Sequence, residues 1–247
     1  MPAISLRVQD LHKKMKKVQA LKGLTMDFSA NQLHGIIGPE GAGKTTLLRH
    51  LMGLLSPDQG KVEYYQDDLL ISFSEVRTRC AYMPQTQSLY GDLSIHEHLE
   101  FFRTLYRLSD QEYQERRARL LEITRLEEFK DRVASQLSGG MYKKLGLMCA
   151  MLAAPKLMLL DEPTNGVDPL SRRDFWELLN QLKEEGITIL VTTSYMDEAL
   201  KCENVHLLFD GQSLMEGSPL EILKAQKCRN FDEVFLRYDS SLEAEKL

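Results

Sequence analysis

One stretch, "GPEGAGKTT" from Gly38 to Thr46, constrains this chain more than any other. It fits G-x-x-x-x-G-K-[ST] and follows the apolar run "LHGII". Glycines let successive backbone N–H groups turn toward one point and approach an anion closely. A helix expected over "TTLLRHLMGLL" adds its positive N-terminal end. Strand, loop and helix together predict a phosphate cradle made of Gly38, Pro39, Glu40, Gly41, Ala42, Gly43, Lys44, Thr45 and Thr46. In it Lys44 reaches the β- and γ-phosphates, and the Thr45 hydroxyl holds Mg²⁺.

Such a loop needs a strand and a helix around it, and the rest of the chain supplies more of both. "LHGIIG", "CAYMPQ", "KLMLLDEP" and "ITILVTTS" read as buried strands alternating with helical patterns. That rhythm predicts an α/β fold with a mostly parallel sheet, whose ligands bind at the carboxyl ends of the strands. The first ~30 residues alternate more like antiparallel strands. From about Ser94 to Arg132 there is no strand pattern. Ser94-Ile95-His96-Glu97 fits a capping box, Ile95, Leu99, Phe102 and Tyr106 follow at helical spacing, and "QEYQERRARLLEITRL" is a second amphipathic helix. The expected organisation is a core over 1–85 and 133–222, an inserted α-helical subdomain over 86–132, and a tail over 223–247. The charged end of that tail reads as a closing helix or a frayed end.

Composition narrows the function classes. The net charge of −5 gives no reason to expect nucleic-acid binding by phosphate neutralisation. "KKMKK" (Lys13 to Lys17) reads as a solvated turn. The four cysteines are scattered without a C-x-x-C, which argues for a reducing compartment and against a metal site. No apolar run approaches 18 residues, so a membrane role would need a partner that spans.

Two further stretches carry chemistry. Asp161 and Glu162 end the strand "LMLLD". Beside a phosphate loop, Asp161 is placed to hold Mg²⁺ and Glu162 to act as general base on the attacking water. "QLSGGMYKKLGLMCAML" starts a helix at Ser138, with Met141, Leu145, Met148 and Leu152 on one apolar face. Gly139 and Gly140 are poor helix formers. They suit either an ordinary N-cap or an anion site where another group approaches the backbone.

With Leu137-Ser138-Gly139-Gly140 about twenty residues before Asp161-Glu162 and "GPEGAGKTT" upstream, the chain resembles the ATP-binding subunit of ABC transporters over nearly its whole length. "SLYGDLSIHEHLEFFRTLY" and "DEVFLRY" resemble the exporter branch, including the first half of tandem exporter ATPases. The resemblance implies a phosphate-loop ATPase using ATP and Mg²⁺, placed peripherally on the cytoplasmic face of a membrane, with an integral membrane permease as partner and no nucleic acid. It implies that Gln85 contacts Mg²⁺ and water, and that Asp168 lies in the D-loop. It also implies a head-to-tail pair with a second ATP-binding domain, on the same or another chain. Each ATP would lie between one domain's phosphate loop and the other's Ser138, Gly139 and Gly140, which would explain both glycines.

Three positions depart from the family pattern. Met15 stands where an adenine-stacking aromatic is usual, Met141 replaces the glutamine that ends the signature, and Ser194 replaces a switch histidine that contacts the γ-phosphate. None of the six histidines replaces it by sequence position. Two functions follow as expectations: an ATPase powering an exporter, with turnover reduced at these positions, or a nucleotide-binding regulatory half paired with a more active domain.

Overall fold

The computed structural model describes residues 3–86 and 89–244, with side chains as far as residue 238. Strands β1 (Ile4–Met15) and β2 (Val18–Phe28) form an antiparallel hairpin, as the alternation in this region predicts. Ile4, Leu6, Val8 and Leu11 are buried along β1. The basic cluster does not act as one solvated turn. Lys16 and Lys17 make the hairpin turn, but Lys13 Nζ donates to Asp58 Oδ1 at 2.9 Å and to the Ser56 carbonyl at 2.8 Å.

Next comes β3 (Leu33–Ile37), buried throughout, then the glycine loop and helix α1 (Lys44–Leu51). The helix is shorter than the apolar run suggests. Gly53 turns left-handed at φ 63° and its N–H bonds the His50 carbonyl, which closes α1 before Leu54 and Leu55. Strands β4 (Gln59–Gln66) and β5 (Leu69–Ile71) then return to the hairpin and complete a sheet of order β2-β1-β4-β5. Helix α2 (Phe73–Arg77) leads into β6 (Cys80–Met83).

Two helices follow, α3 (Ile95–Tyr106) and α4 (Asp110–Thr124). The predicted capping box at Ser94 and Glu97 is present, and Ser109 with Glu112 repeats it at the start of α4. Both helices pack on α5 (Gly139–Met151), so the inserted segment shares its apolar core with the helix that begins at Ser138. The chain continues as β7 (Leu157–Asp161), α6 (Pro169–Glu184), β8 (Thr188–Thr193), β9 (Asn204–Phe209), β10 (Gln212–Gly217), α7 (Pro219–Gln226) and α8 (Phe231–Ala244). Phe231 and Val234 are each 1% exposed, so the end of the chain docks as a closing helix through the described residues.

The second sheet has the order β10-β9-β3-β8-β7-β6, with only the edge strand β10 antiparallel. Its central strands β3, β8 and β7 are buried on both faces, which is why they read as continuous apolar runs. In β7, Leu157 and Leu159 face the antiparallel sheet and α1, while Met158 and Leu160 face α5 and α6. Because β3, β8 and β7 are parallel neighbours, the glycine loop, Ser194 and the two acids emerge at the same edge.

Candidate functional site

The site is organised around a buried ammonium. Lys44 is 5% exposed, and a charge so deep must be paired. Its Nζ donates to the carbonyls of Gly38 at 2.8 Å and Pro39 at 3.0 Å, and lies 3.1 Å from Glu162 Oε1. Glu162 stands just past β7 in a left-handed conformation, φ 45°, that a non-glycine residue adopts only when its surroundings impose it. Here its N–H is held by the Thr192 carbonyl at 3.1 Å and the Thr192 hydroxyl at 3.0 Å. The other carboxylate oxygen, Oε2, accepts from Gln85 Nε2 at 3.0 Å and Asn165 Nδ2 at 3.3 Å. Side chains from three separate segments therefore fix the orientation of Glu162.

Asp161, one residue earlier, is 1% exposed and points elsewhere. Its Oδ1 accepts from Thr45 at 3.1 Å and Thr192 at 2.7 Å, and its Oδ2 from the Tyr82 hydroxyl at 3.4 Å. Burial, with the nearby Asp161 charge, pushes the Tyr82 phenol up and keeps it a donor. The donor set of Thr45, Asp161 and the Gln85 amide is hard oxygen and sparse. It fits Mg²⁺, which keeps several waters and takes further ligands from substrate phosphates.

These groups open into a cleft of about 400 Å³ lined by the loop from Glu40 to Thr46 and by Gln85 and Glu162. At Gly41, φ +78°, a Cβ would meet nothing within 4 Å, so the backbone there is bare toward the cleft. Ala42 is buried, and its carbonyl is held by the Gly211 N–H at 3.0 Å. Asp210 and Gly211, in the tight turn between β9 and β10, thus line and buttress the cleft. The sequence reading passed over them, although "DG" between apolar runs is a hairpin signal. It also passed over Val18, which lines the cleft where Met15 does not. The two are register partners across the hairpin, and Val18 is 68% exposed against 39% for Met15.

Ser138, Gly139 and Gly140 stand apart from this cleft. Ser138 caps α5, its Oγ accepting the Met141 N–H at 3.3 Å, and both Ser138 and Gly139 are exposed. Gly140 is buried, and its lack of a side chain has a local cause. A Cβ there would stand 2.5 Å from Ser171 Cβ on α6. Gly139 is exposed and open to an incoming group, while Gly140 has a packing reason as well, since its lack of a side chain lets α5 and α6 approach. Met141 is half-buried and packs on the main core.

Ser194 follows β8, half-buried and outside the cleft lining. None of the six histidines lines the cleft; His50 on α1 turns its Nδ1 to the Thr46 carbonyl at 2.7 Å. The segment after Ser194 is fixed by Glu198, which is 2% exposed and accepts from Thr193 at 2.6 Å, Thr164 at 2.8 Å and Arg172 at 3.1 Å. Asp168 caps α6 by accepting from the Leu170 and Ser171 N–H groups at 3.1 and 3.0 Å. The bonds from Ser171 hold its carboxyl below the usual range.

A family profile described as "ABC transporter" matches residues 21–165. The "Probable multidrug ABC transporter ATP-binding protein YbhF" of Escherichia coli (strain K12) is 42% identical over 86% of this chain, which spans 37% of that protein's length. A "Nod factor export ATP-binding protein I" of Cupriavidus metallidurans is 36% identical over 86% of this chain and 73% of its own length. Among solved structures, cbiO1 of Clostridium perfringens, part of the ABC transporter complex cbiONQ, superposes over 100% of both chains with a TM-score of 0.81 at 28% identity.

Proposed function

The chain belongs to the ABC transporter family, and we propose that it is an ATP-hydrolysing subunit that powers an exporter. The observation that carries this is the convergence of Lys44 Nζ, two loop carbonyls and Glu162 Oε1 within 3.1 Å at the mouth of a glycine loop. Triphosphate entering the cleft gives Lys44 stronger partners than neutral carbonyls. That exchange frees Glu162, still held on its other oxygen by Gln85 and Asn165, to take a proton from the attacking water. Thr45, Asp161 and the Gln85 amide would hold Mg²⁺, which would supply charge neutralisation at the phosphates. Val18, beside Met15, offers the adenine an aliphatic surface in place of an aromatic ring.

The exposed start of α5 supports a head-to-tail pair in which Ser138 and the Gly139 N–H meet the γ-phosphate bound by a second domain. ATP then joins the two domains and hydrolysis parts them. None of the helices among the described residues is long and apolar enough to cross a membrane; in the proposed reading an integral membrane permease supplies the spanning part and this chain sits on its cytoplasmic face. Export, rather than import, accords with the names of the relatives.

A second reading rests on Ser194. A cleft without histidine has Lys44 but no imidazole donor for the γ-phosphate, which suits a regulatory half whose partner domain hydrolyses faster. The pairing is tested with Glu162→Gln, which removes the proposed base and is expected to keep ATP bound. This variant is expected to elute as a dimer in size-exclusion chromatography with ATP and as a monomer without it. Adding Ser138→Arg should abolish the dimer at unchanged ATP affinity. A Glu162→Gln chain that stays monomeric at saturating ATP would sink the dimer.

A further inference from the structure

Helix α5 does more than present its first turn. Lys143, one turn into it, is half-buried and sends Nζ to the Gln85 carbonyl at 3.2 Å. The preceding residue, Tyr142, accepts the Leu89 N–H on its hydroxyl at 3.2 Å. The segment that carries Gln85 is therefore tied to α5 at two points, by bonds from the backbone of one to side chains of the other. At its other end the same residue donates Nε2 to Glu162 Oε2 at 3.0 Å. An unbroken chain of contacts runs from α5 through Lys143 and Gln85 to the carboxylate that takes the proton.

We propose that Lys143 is a positioning residue for Glu162: by holding the Gln85 backbone it keeps the Gln85 amide on the carboxylate, and so makes the alignment of the base depend on where α5 sits. Two further features fit. Burial pulls the Lys143 ammonium below its ordinary value against the attraction of Glu162 and Asp161, so its charge lies in the field of both acids. A carbonyl bonded to an ammonium is also held more tightly than one bonded to a neutral donor. Ser138 caps the same helix only five residues away. A shift of α5 as Ser138 engages a nucleotide would therefore reach this chain's own Glu162. Lys143 is not among the residues that line the cleft, and its role is exerted through Gln85.

The inference rests on the ATPase reading, and steady-state kinetics on the purified chain separates the two. Lys143→Met is expected to lower kcat about tenfold, the scale of one lost hydrogen bond to a charged group, at unchanged KM for ATP. Lys143→Arg should recover most of the loss. In a Gln85→Ala background, Lys143→Met should have no further effect, because the side chain it positions is gone. Wild-type turnover in Lys143→Met, losses that multiply in the double variant, or a loss that appears in KM each overturn the proposal while leaving the ATPase reading intact. A wild-type chain without turnover overturns both. Lys143→Gln, which keeps a neutral donor, replaces Lys143→Met if that variant melts well below wild type, with the same kcat-only loss expected and the same outcomes decisive.

Discussion

The cleft at Lys44 and the start of α5 both offer backbone N–H groups at a helix N-terminus, yet one is closed on itself and the other is open. In the cleft the buried charges have partners from the same chain: Lys44 with Glu162, Glu162 with Gln85 and Asn165, Asp161 with Thr45 and Thr192. At α5, Ser138 and Gly139 are exposed and the serine hydroxyl is engaged only in its own cap. A self-satisfied site holds its geometry before substrate arrives. An open one gains a partner only from another molecule. A single chain thus holds a whole phosphate cradle, while its second glycine-rich helix start is left open.

The largest way to sharpen that contrast is Ser194→His, which adds a donor to the cleft side alone. Turnover is expected to rise roughly 10²-fold with ATP affinity little changed, the scale of one preorganised donor in a reacting site. Unchanged turnover in an active protein would mean that the cleft does not lack the donor.

A buried group outside both regions provides the control. Burial holds His34, at the start of β3, down to about 4, with His206, Glu203 and Glu216 facing it. Unfolded, it takes its proton near 6.5. The unfolded chain therefore binds more protons between these values. The stability from neutral His34 is complete above about pH 6.5 and is lost as pH falls toward about 4. The loss is about 3 kcal/mol and should be absent from thermal melts of His34→Gln over the same range. A melt of that variant as steep in pH as wild type would place the titration elsewhere.

The smallest expected effect falls on the α5 side. Gly140→Ala forces its Cβ against Ser171, and overpacking should cost about 2 kcal/mol, partly offset by better helix propensity. Thermal unfolding should fall by a few degrees, on the scale of about 1 kcal/mol, and Ser171→Gly in the same chain should restore it. No recovery would mean that Gly140 is needed for something other than helix packing.

What the sequence made legible was local. The glycine loop, the acids after a buried strand and the capping box at Ser94 each follow from neighbours in sequence, and the structure places all three as expected. The antiparallel first sheet was legible at β1 and β2, but β4 and β5 join it from far along the chain without a periodicity of their own. The packing reason for Gly140 was not legible because Ser171 lies on another helix. The same holds for Lys143, whose partner at Gln85 is 58 positions away. Val18 entered the cleft through strand register, which a hairpin turn decides and a motif does not.

The most direct test is steady ATP hydrolysis by the purified chain beside Glu162→Gln. The expected result is measurable turnover in wild type that falls by roughly 10²-fold or more in Glu162→Gln, while ATP binding persists in both. A wild-type chain that binds ATP without turning it over, or a Glu162→Gln chain as fast as wild type, would contradict Glu162 as the base of an ATPase.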